Sequence, residues 1–373
     1  MSDHIFLSSP HMSDEGYELE YIHDAFRKNW IAPLGENVNE FENTVKAYIG
    51  ADNAVALSAG TAALHLSLIC AGVGNGDKVF CQDLTFSASA NPITYVGAEP
   101  IFIDSERDTW NMDPESLKKA IALYGVPKAV VVVHLYGNPA KMDEICAVCD
   151  AYRIPLIEDA AEALGSVYHG KKCGTFGNFG ILSFNGNKII TTSGGGMLLC
   201  KEEANAKHAL KLATQAREPY PWYQHEEIGY NYRMSNICAG IGRGQMKVLS
   251  DRVEMKRAIY QRYKEKLDGL PLSLQPVADN TDPNCWLTSL LLEDGCGIAP
   301  MEIIEMLQKN DIESRPLWKP MHAQPVFAEA AYVMAGDESV SEDLFRRGLC
   351  LPSDTKMKMK DVDRVCDGIR SMF

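Results

Sequence analysis

The sequence around Lys188 indicates a reactive amine. Lys188 ends the segment Ser183-Phe184-Asn185-Gly186-Asn187-Lys188 and is followed by Gly194-Gly195-Gly196. Residues 179–184 and 197–200 read as short buried strands, which predicts that the lysine lies on a loop inside a domain. Burial disfavours the charged form of an amine, and the neutral amine attacks aldehydes and ketones. Schiff-base chemistry is therefore one interpretation, and a solvated lysine beside an ordinary turn is the other.

An acid is predicted at the end of a second strand. Ile154-Pro155-Leu156-Ile157-Glu158-Asp159 reads as a buried strand that ends in two carboxylates. Ligands of open α/β sheets bind at the carboxyl ends of strands, so Asp159 is placed to face a ligand. Aspartate is also a favoured helix N-cap, and the motif alone leaves both roles open.

A third segment has the form of a phosphate site. Leu57-Ser58-Ala59-Gly60-Thr61-Ala62-Ala63-Leu64 reads as a strand end, a turn of small residues and a helix start. Free N–H groups at a helix N-terminus bind phosphate, and Gly60 and Thr61 leave room for its approach. The segment has neither the P-loop nor the dinucleotide-binding glycine pattern.

An amine, an acid and a phosphate cup together match the needs of pyridoxal phosphate. A lysine holds the aldehyde of this cofactor as a Schiff base. An acid keeps the pyridine nitrogen protonated, so that the ring accepts the electrons of a carbanion. The three segments therefore predict a pyridoxal phosphate enzyme.

The ordered motifs resemble those of the DegT-type nucleotide-sugar aminotransferases, a family with the fold type I architecture of pyridoxal phosphate enzymes. The matching segments are Ser58 to Leu64, Glu158-Asp159-Ala160-Ala161, Ser183-Phe184 with Lys188, and Gly229-Tyr230-Asn231-Tyr232-Arg233-Met234. The resemblance runs nearly end to end. It implies an α/β fold with a large, mainly parallel sheet flanked by helices and a smaller C-terminal α/β domain.

The resemblance also implies roles for cofactor-binding residues. Lys188 forms the Schiff base and moves the proton, and Asp159 contacts the pyridine nitrogen. Phe86 stacks on the ring, although packing in the core is the commoner role of such a phenylalanine. The phosphate cup is implied to contain Gly60, Thr61 and Ser183.

Two further implied positions concern the partner subunit and the cofactor's phenolic oxygen. Asn231 resembles a residue that enters the site from a second subunit, so a homodimer with shared active sites is expected. Glu162 stands where many family members have glutamine. Because like charges raise one pKa, we expect Glu162 either to share a proton or to rotate away from the site.

For the substrate, the resemblance implies contacts from Trp30, Asn187, Arg315 and His322. Trp30 also fits a helix end before a proline stop, and His322 fits a packing or surface role. The expected reaction moves the amino group of glutamate to the C4 keto group of a nucleotide-linked 4-keto-6-deoxy sugar. Three segments most resemble the branch of the family that acts on UDP-linked N-acetylated sugars. They are His134 to Asn138, Thr109 to Asp113 and Arg315 to His322.

Several alternatives remain at this point. A dTDP-linked 4-keto or 3-keto sugar would need the same motifs. A sugar dehydratase of this scaffold has histidine in place of the lysine, and a non-catalytic sensor would be expected to carry a DNA-binding module or a broken site. Lys188 and the intact motifs disfavour both.

Composition limits the partners and the compartment. The chain has 373 residues, 46% of them hydrophobic, and a net charge of −14, which argues against nucleic acid because phosphate backbones need basic surfaces. Its eleven scattered cysteines and the lack of a secretory signal favour a reducing, cytoplasmic location. No metal site or membrane insertion is expected, since Cys146 and Cys149 share a helix face and no apolar run reaches about 18 residues.

The order of elements predicts two domains. Strand and helix periods alternate through the first two thirds, and the β-branched run at 128–133 predicts a strand buried on both faces. A long helical stretch from about Asn236 to Leu267 is predicted to link the domains. We therefore predict a cofactor-binding domain at residues 1–245 and a smaller one at 246–373.

Overall fold

The computed structural model describes residues 4–373 and has a mixed α/β architecture around one large sheet. Eight strands form this sheet in the order β1-β9-β8-β5-β4-β2-β3-β14. Their bounds are Asn53–Leu57 (β1), Lys78–Gln82 (β2), Glu99–Ile103 (β3), Ala129–Val133 (β4), Leu156–Asp159 (β5), Phe179–Ser183 (β8), Gly196–Cys200 (β9) and Ala331–Val333 (β14). Only the two ladders that β9 forms, with β1 and β8, are antiparallel. The prediction of a mainly parallel sheet is confirmed.

Two smaller sheets complete the β-structure. The first has the order β10-β12-β15-β13 and the second has the order β11-β6-β7. Their strands are Val167–Tyr168 (β6), Lys171–Lys172 (β7), Leu272–Leu274 (β10), Thr281–Asp282 (β11), Thr288–Leu292 (β12), Arg315–Pro316 (β13) and Gly348–Leu351 (β15).

Twelve α-helices surround these sheets in the described part of the chain. They are Tyr17–Arg27 (α1), Glu36–Ile49 (α2), Gly60–Cys70 (α3), Asn91–Tyr95 (α4), Pro114–Tyr124 (α5), Met142–Tyr152 (α6), Glu203–Ala213 (α7), Asn236–Met246 (α8), Leu249–Lys266 (α9), Pro300–Lys309 (α10), Val340–Arg347 (α11) and Met359–Arg370 (α12). No helix within residues 4–373 combines the length and the apolar character needed to cross a bilayer.

Strand β4 shows why the large sheet is covered on both sides. All five of its residues are buried. Val131 packs with α3 residues on one face, whereas Val130 and Val132 pack with residues of α5 and α6 on the other. Side chains alternate along a strand, so a continuous run of apolar β-branched residues supplies both cores at once.

The helical stretch predicted from Asn236 to Leu267 is two helices, α8 and α9, which corrects the prediction of one long helix. Helix α9 joins two hydrophobic cores, because Leu249 and Val253 pack beside the large sheet while Ile259 and Tyr263 pack with the β10-β12-β15 sheet. A boundary near residue 245 remains our proposal. Two segments cross it: Ile5 packs in the second core, and β14 pairs with β3.

One edge of the large sheet collects the chain segments that carry the predicted chemistry. Strands β1, β8 and β5 all end there, and β9 begins there between β1 and β8. Gly196 opens β9 beside the turn at Ala59 and Gly60, and a Cβ atom at Gly196 would clash with the backbone of both residues. Glycine at this position therefore allows the close approach of the turn and the strand.

This clash leads to a stability prediction. Gly196→Ala should lower the free energy of unfolding by about 1 to 3 kcal/mol, because the turn or the strand must move to admit a methyl group. Urea unfolding of the purified protein measures the change. Gly74→Ala is the control, since a Cβ atom at Gly74 meets nothing within 4 Å. Equal midpoints for the two variants would contradict the packing argument.

Candidate active site

A pocket of about 390 Å³ lies at this edge of the large sheet. Nine of the predicted site residues line it, at or just beyond the ends of β1, β2, β5 and β8 and in β13: Gly60, Thr61, Phe86, Asp159, Glu162, Ser183, Asn187, Lys188 and Arg315. A larger pocket of about 690 Å³ lies along α9 and β10, and its lining contains none of the predicted residues.

The amine of Lys188 has two partners inside this pocket. Its side chain is 13% exposed, and its Nζ lies 3.4 Å from Oε1 of Glu162. The same Nζ lies 4.3 Å from the centroid of the Trp286 ring. The loop that carries Lys188 joins β8 to β9, as predicted. A mostly enclosed amine with two partners suits attack on a bound carbonyl group.

The carboxylate of Asp159 ends β5 and accepts two hydrogen bonds. Ser89 Oγ donates to Oδ2 at 2.6 Å, and the backbone N–H of Ala161 donates to Oδ1 at 3.1 Å. Ser89 Oγ has one hydrogen, so the 2.7 Å contact with Thr85 Oγ1 is a bond that Thr85 donates. The next regular element after β5 is β6, so Asp159 is not a helix N-cap.

The N-terminus of α3 faces the same pocket. Its N-cap residue, Ala59, is extended and has no side-chain capping bond. A Cβ atom built on Gly60 would lie 3.3 Å from Cβ of Ser183, so the two backbones approach closely here. The first N–H groups of a helix lack intrahelical partners, and an uncapped end of this kind is suited to a phosphate group.

Phe86 is 56% exposed, which rules out the core-packing alternative for this residue. Its ring centroid lies 5.6 Å from that of Trp318, another side chain of the pocket wall. An exposed aromatic face at the mouth of a pocket is available for stacking on a planar ring.

Glu162 is buried and turned into the pocket rather than away from it. Its Oε2 accepts a hydrogen bond from the backbone N–H of Tyr136 at 2.7 Å, while Oε1 faces Lys188. Burial raises the pKa of Glu162 to about 7, although the charge of Lys188 acts in the opposite direction. Of the two expected arrangements, rotation out of the site is therefore wrong.

Three predicted residues lie outside this pocket. Trp30 lies in a separate pocket with α1 and α2 residues, where its Nε1 donates to Leu34 O at 2.9 Å. Asn231 is exposed, and its Oδ1 accepts a hydrogen bond from Gln215. Neither residue belongs to the lining of the pocket that contains Lys188 of the same chain.

His322 also lies outside the pocket, in a network of charged groups. Its Nδ1 is 2.8 Å from Asp83 Oδ2, its Nε2 is 3.2 Å from Glu342 Oε1, and its ring stacks on Tyr332. Burial acts against the imidazolium, but the two carboxylates outweigh it and raise the pKa of His322. Through these contacts, the segment after Trp318 is connected to the loop that follows β2, to α11 and to β14.

Sequence reasoning missed Ser89 and the contact of Trp286 with the lysine. Ser89 lies only three residues beyond Phe86, so a polar residue at helical spacing was a usable signal. Trp286 had no local signal, because it comes from the second half of the chain and reads there as part of an apolar strand.

The residues present fit pyridoxal phosphate. Lys188 offers an amine for the aldehyde, Asp159 an acid for the ring nitrogen, and Phe86 a face for the ring. Helix α3 offers an uncapped N-terminus for the phosphate, beside the Ser183 side chain. The aldehyde, the ring nitrogen, the ring face and the phosphate of the cofactor each have a complementary group in one pocket.

Comparison with relatives of known sequence agrees with this site. EpsN of Bacillus subtilis (strain 168), assigned to the pyridoxal phosphate-dependent aminotransferases, is 52% identical over 379 residues, covering 100% of this chain and 97% of the relative. GDP-perosamine synthase of Escherichia coli O157:H7 is 35% identical over 358 residues, covering 96% of both chains.

Solved structures share the whole fold. Spr1654 of Streptococcus pneumoniae, assigned as a sugar aminotransferase and solved in its PMP-form, has 26% identity and a TM-score of 0.90, covering 99% of this chain and 97% of its own. DesI, solved in the presence of its TDP-sugar product, has 26% identity and a TM-score of 0.90, covering 100% of this chain and 93% of its own. The family model of the DegT/DnrJ/EryC1/StrS aminotransferases matches residues 13–370, and the chain is a pyridoxal phosphate-dependent sugar aminotransferase of this family.

Proposed function

We propose that this enzyme transfers the amino group of glutamate to the C4 keto group of UDP-2-acetamido-2,6-dideoxy-4-hexulose and forms a UDP-linked 4-amino sugar. The observation that most directly supports amino transfer is the placement of Lys188, Asp159 and the N-terminus of α3 around one pocket. The UDP-linked substrate is supported by the resemblance of the three segments around His134, Trp110 and Trp318. GDP-linked and dTDP-linked keto sugars are the alternatives, since relatives include GDP-perosamine synthase and DesI with a TDP-sugar product.

When bound, pyridoxal phosphate supplies the aldehyde that takes up the amino group and the ring that accepts the electrons of the broken C–H bond. Lys188 would then take the proton from the α-carbon of the donor as a free amine. It would later give a proton to C4 of the sugar. Asp159 would hold a proton on the ring nitrogen, and its own position is held by Ser89 and the N–H of Ala161.

Recognition of the sugar nucleotide is proposed to involve the pocket mouth. Arg315 and Asn187 line the pocket there, and Trp318 provides a second aromatic side chain beside Phe86. An arginine suits a carboxylate or diphosphate, because its planar fork donates two parallel hydrogen bonds. His322 would act on the substrate only through the Trp318 segment, because its two ring nitrogens already face Asp83 and Glu342.

We also propose a cytoplasmic homodimer with shared sites. Asn231 is exposed and lies outside the pocket of its own chain, which is the arrangement expected of a residue that serves a second subunit. Trp30 is likewise exposed and away from this pocket, so a role for it across a subunit interface is consistent with its position.

Product analysis tests the transfer and the substrate together. Purified enzyme with pyridoxal phosphate and nitrogen-15 glutamate should place the label in a UDP-linked N-acetylated amino sugar when offered UDP-, GDP- and dTDP-linked 4-keto sugars. Lys188→Ala should lower turnover by at least about 10³-fold while the protein stays folded, because it removes the proton-carrying amine. Label in a GDP or dTDP sugar would refute the UDP proposal, and full turnover by the alanine variant would remove Lys188 from the mechanism.

Mixed dimers test the shared site. Lys188→Ala and Asn231→Ala subunits, each nearly inactive alone, should regain about a quarter of wild-type activity when unfolded together and refolded. Half of the random dimers are mixed, and each mixed dimer carries one intact site. No recovery, or a fully active monomer by size-exclusion chromatography, would contradict the proposal.

The environment of Glu162 predicts a pH-dependent stability of the cofactor-free protein. Its pKa rises from the ordinary value of 4.5 to about 7 in the fold. The folded state therefore binds more protons than the unfolded state between these pH values. The stabilisation, up to about 3 kcal/mol, is complete below pH 4.5 and is lost as the pH rises through 7.

Glu162→Gln should remove this pH-dependent stabilisation, because glutamine does not titrate. The difference in unfolding free energy between pH 5 and pH 8 should therefore be smaller than in wild type. Urea unfolding at both pH values measures it. Glu254→Gln, on the exposed side of α9, is the control. An unchanged difference in Glu162→Gln would show that Glu162 keeps an ordinary acidity in the fold.

A further inference from the structure

The amine of Lys188 faces the ring of a tryptophan from the second half of the chain. Its Nζ lies 4.3 Å from the Trp286 ring centroid, and Trp286 is 3% exposed. A cation over an indole face is attracted by the ring quadrupole, and more strongly where water is excluded. Trp286 therefore gives the ammonium form of Lys188 a partner in place of water, opposite the carboxylate of Glu162.

Three hydrogen bonds hold Trp286 in an irregular segment before β12. Its backbone N–H donates to Asn284 Oδ1 at 2.9 Å, and its carbonyl accepts from Lys256 Nζ at 2.9 Å. Its indole Nε1 donates to the carbonyl of Asn187, the neighbour of Lys188, at 2.7 Å. The ring is thus held directly against the loop that carries the lysine.

Asn284 connects the two partners of the lysine amine. Its Nδ2 donates to the carbonyl of Glu162 at 2.8 Å and to that of Leu164 at 2.9 Å, while its Oδ1 accepts from Trp286. The side chain is fully buried. One amide therefore sets the distance between the segment that carries the carboxylate and the segment that carries the ring.

Lys256 closes a ring of hydrogen bonds on the other side. Its Nζ donates to Ser8 Oγ at 3.2 Å as well as to Trp286, and Ser8 Oγ donates to the carbonyl of Asn187 at 3.0 Å. Helix α9, the N-terminal segment and the lysine loop are joined through these bonds. Lys256 is buried, so its amine has these groups rather than water as partners.

The backbone between Asn284 and Trp286 is strained. Cys285 adopts φ 54°, a left-handed conformation that is costly for a residue with a Cβ atom. Such conformations persist where the surrounding contacts determine them, and they concentrate at functional sites. The strain is explained if the turn at Cys285 serves to present the Trp286 ring to Lys188.

We propose that Trp286 is a further catalytic residue. Its indole face and the Glu162 carboxylate form an amine site, which holds Lys188 whenever the Nζ of that lysine is not bonded to the cofactor. Asn284 and Lys256 are positioning residues of this amine site. The inference depends on the proposed function, in which free Lys188 carries a proton between two carbons. The neutral amine gains the proton from the donor carbon, is held as an ammonium, and returns to neutral when the acceptor carbon takes the proton. No electrons are gained or lost by the lysine.

A labelling experiment on the cofactor-free protein separates this role from simple packing. Lys188 is methylated with formaldehyde and cyanoborohydride at neutral pH, and its rate is followed by peptide mass spectrometry. Trp286→Leu should raise the rate about tenfold, because the amine loses the aromatic face that holds and shields it from the reagent. Trp286→Phe keeps a ring face and should stay within about threefold of wild type.

Phe86→Leu is the matched control for pocket opening, since Phe86 lines the same pocket and its ring contacts Trp318 rather than Trp286. It should leave the labelling rate within about twofold of wild type, as it removes no partner of the amine. Equal rates for Trp286→Leu and Trp286→Phe, or for Trp286→Leu and Phe86→Leu, would overturn the proposal. Should Trp286→Leu fail to fold, Trp286→Met provides the same test with a flexible apolar side chain.

Kinetics of the holoenzyme test the catalytic consequence. Trp286→Leu should lower kcat about tenfold with KM for both substrates within about threefold, because the amine site acts on the free lysine during proton transfer. A rise in KM with unchanged kcat would overturn it. The labelling assay needs no sugar, so a wrong choice of nucleotide sugar cannot be confused with failure of the amine site.

The positioning role of Lys256 is tested by non-additivity. Lys256→Met alone should raise the labelling rate of Lys188 in the same direction as Trp286→Leu, but less. In the Trp286→Leu background it should add nothing, because both changes act through the same ring. Additive effects would remove Lys256 from the proposed set.

Discussion

Burial of one amine and two carboxylates in a single pocket is the constraint on which the rest of this structure depends. A buried charge without a partner costs several kcal/mol, so each group must be met by donors, acceptors or an opposite charge. Asp159 has Ser89 and a backbone N–H, Glu162 has the N–H of Tyr136, and Lys188 has Glu162 and Trp286. Burial raises the pKa of Glu162 to about 7, because these partners replace only part of the water that a carboxylate loses on burial.

The large sheet makes such an arrangement possible. Strands β1, β5 and β8 end at one edge, so residues more than a hundred positions apart meet there without long loops. Gly196 lets β9 pass against the turn at Ala59 and Gly60, which keeps the uncapped end of α3 beside Ser183. The sheet thus fixes the distances between the groups that pyridoxal phosphate must bridge.

The second half of the chain does more than cover the pocket. Trp286, Arg315 and Trp318 all line it, and Asn284 reaches back to the backbone of Glu162. Strand β14 extends the large sheet itself, and Ile5 packs in the second core. A division at residue 245 therefore describes the order of elements along the chain better than it describes independent units, because contacts across it complete the active site.

The sequence by itself determined the elements and the reactive groups. Alternation in β4, the small-residue turn before α3, the acid at the end of β5 and the lysine loop after β8 are local patterns, since periodicity and turn chemistry depend on neighbouring residues. Those patterns predicted Lys188, Asp159, Gly60 and Thr61, and the family resemblance implied the other five of the nine predicted residues that line one pocket. The resemblance also implied a substrate contact for His322, whose ring engages Asp83 and Glu342, two residues that the segment around it does not reveal.

Only the tertiary structure decided how the lysine amine is held. The Trp286 ring, its Asn284 and Lys256 supports and the inward orientation of Glu162 depend on contacts between segments about one hundred residues apart in the chain. Hydrogen bonds to irregular backbone leave no periodic pattern, and the pKa of a carboxylate depends on which charges and how much apolar surface surround it in space. Local sequence therefore shows which groups are available. The fold sets the distances between these groups and their burial, and both determine how readily each group binds a proton.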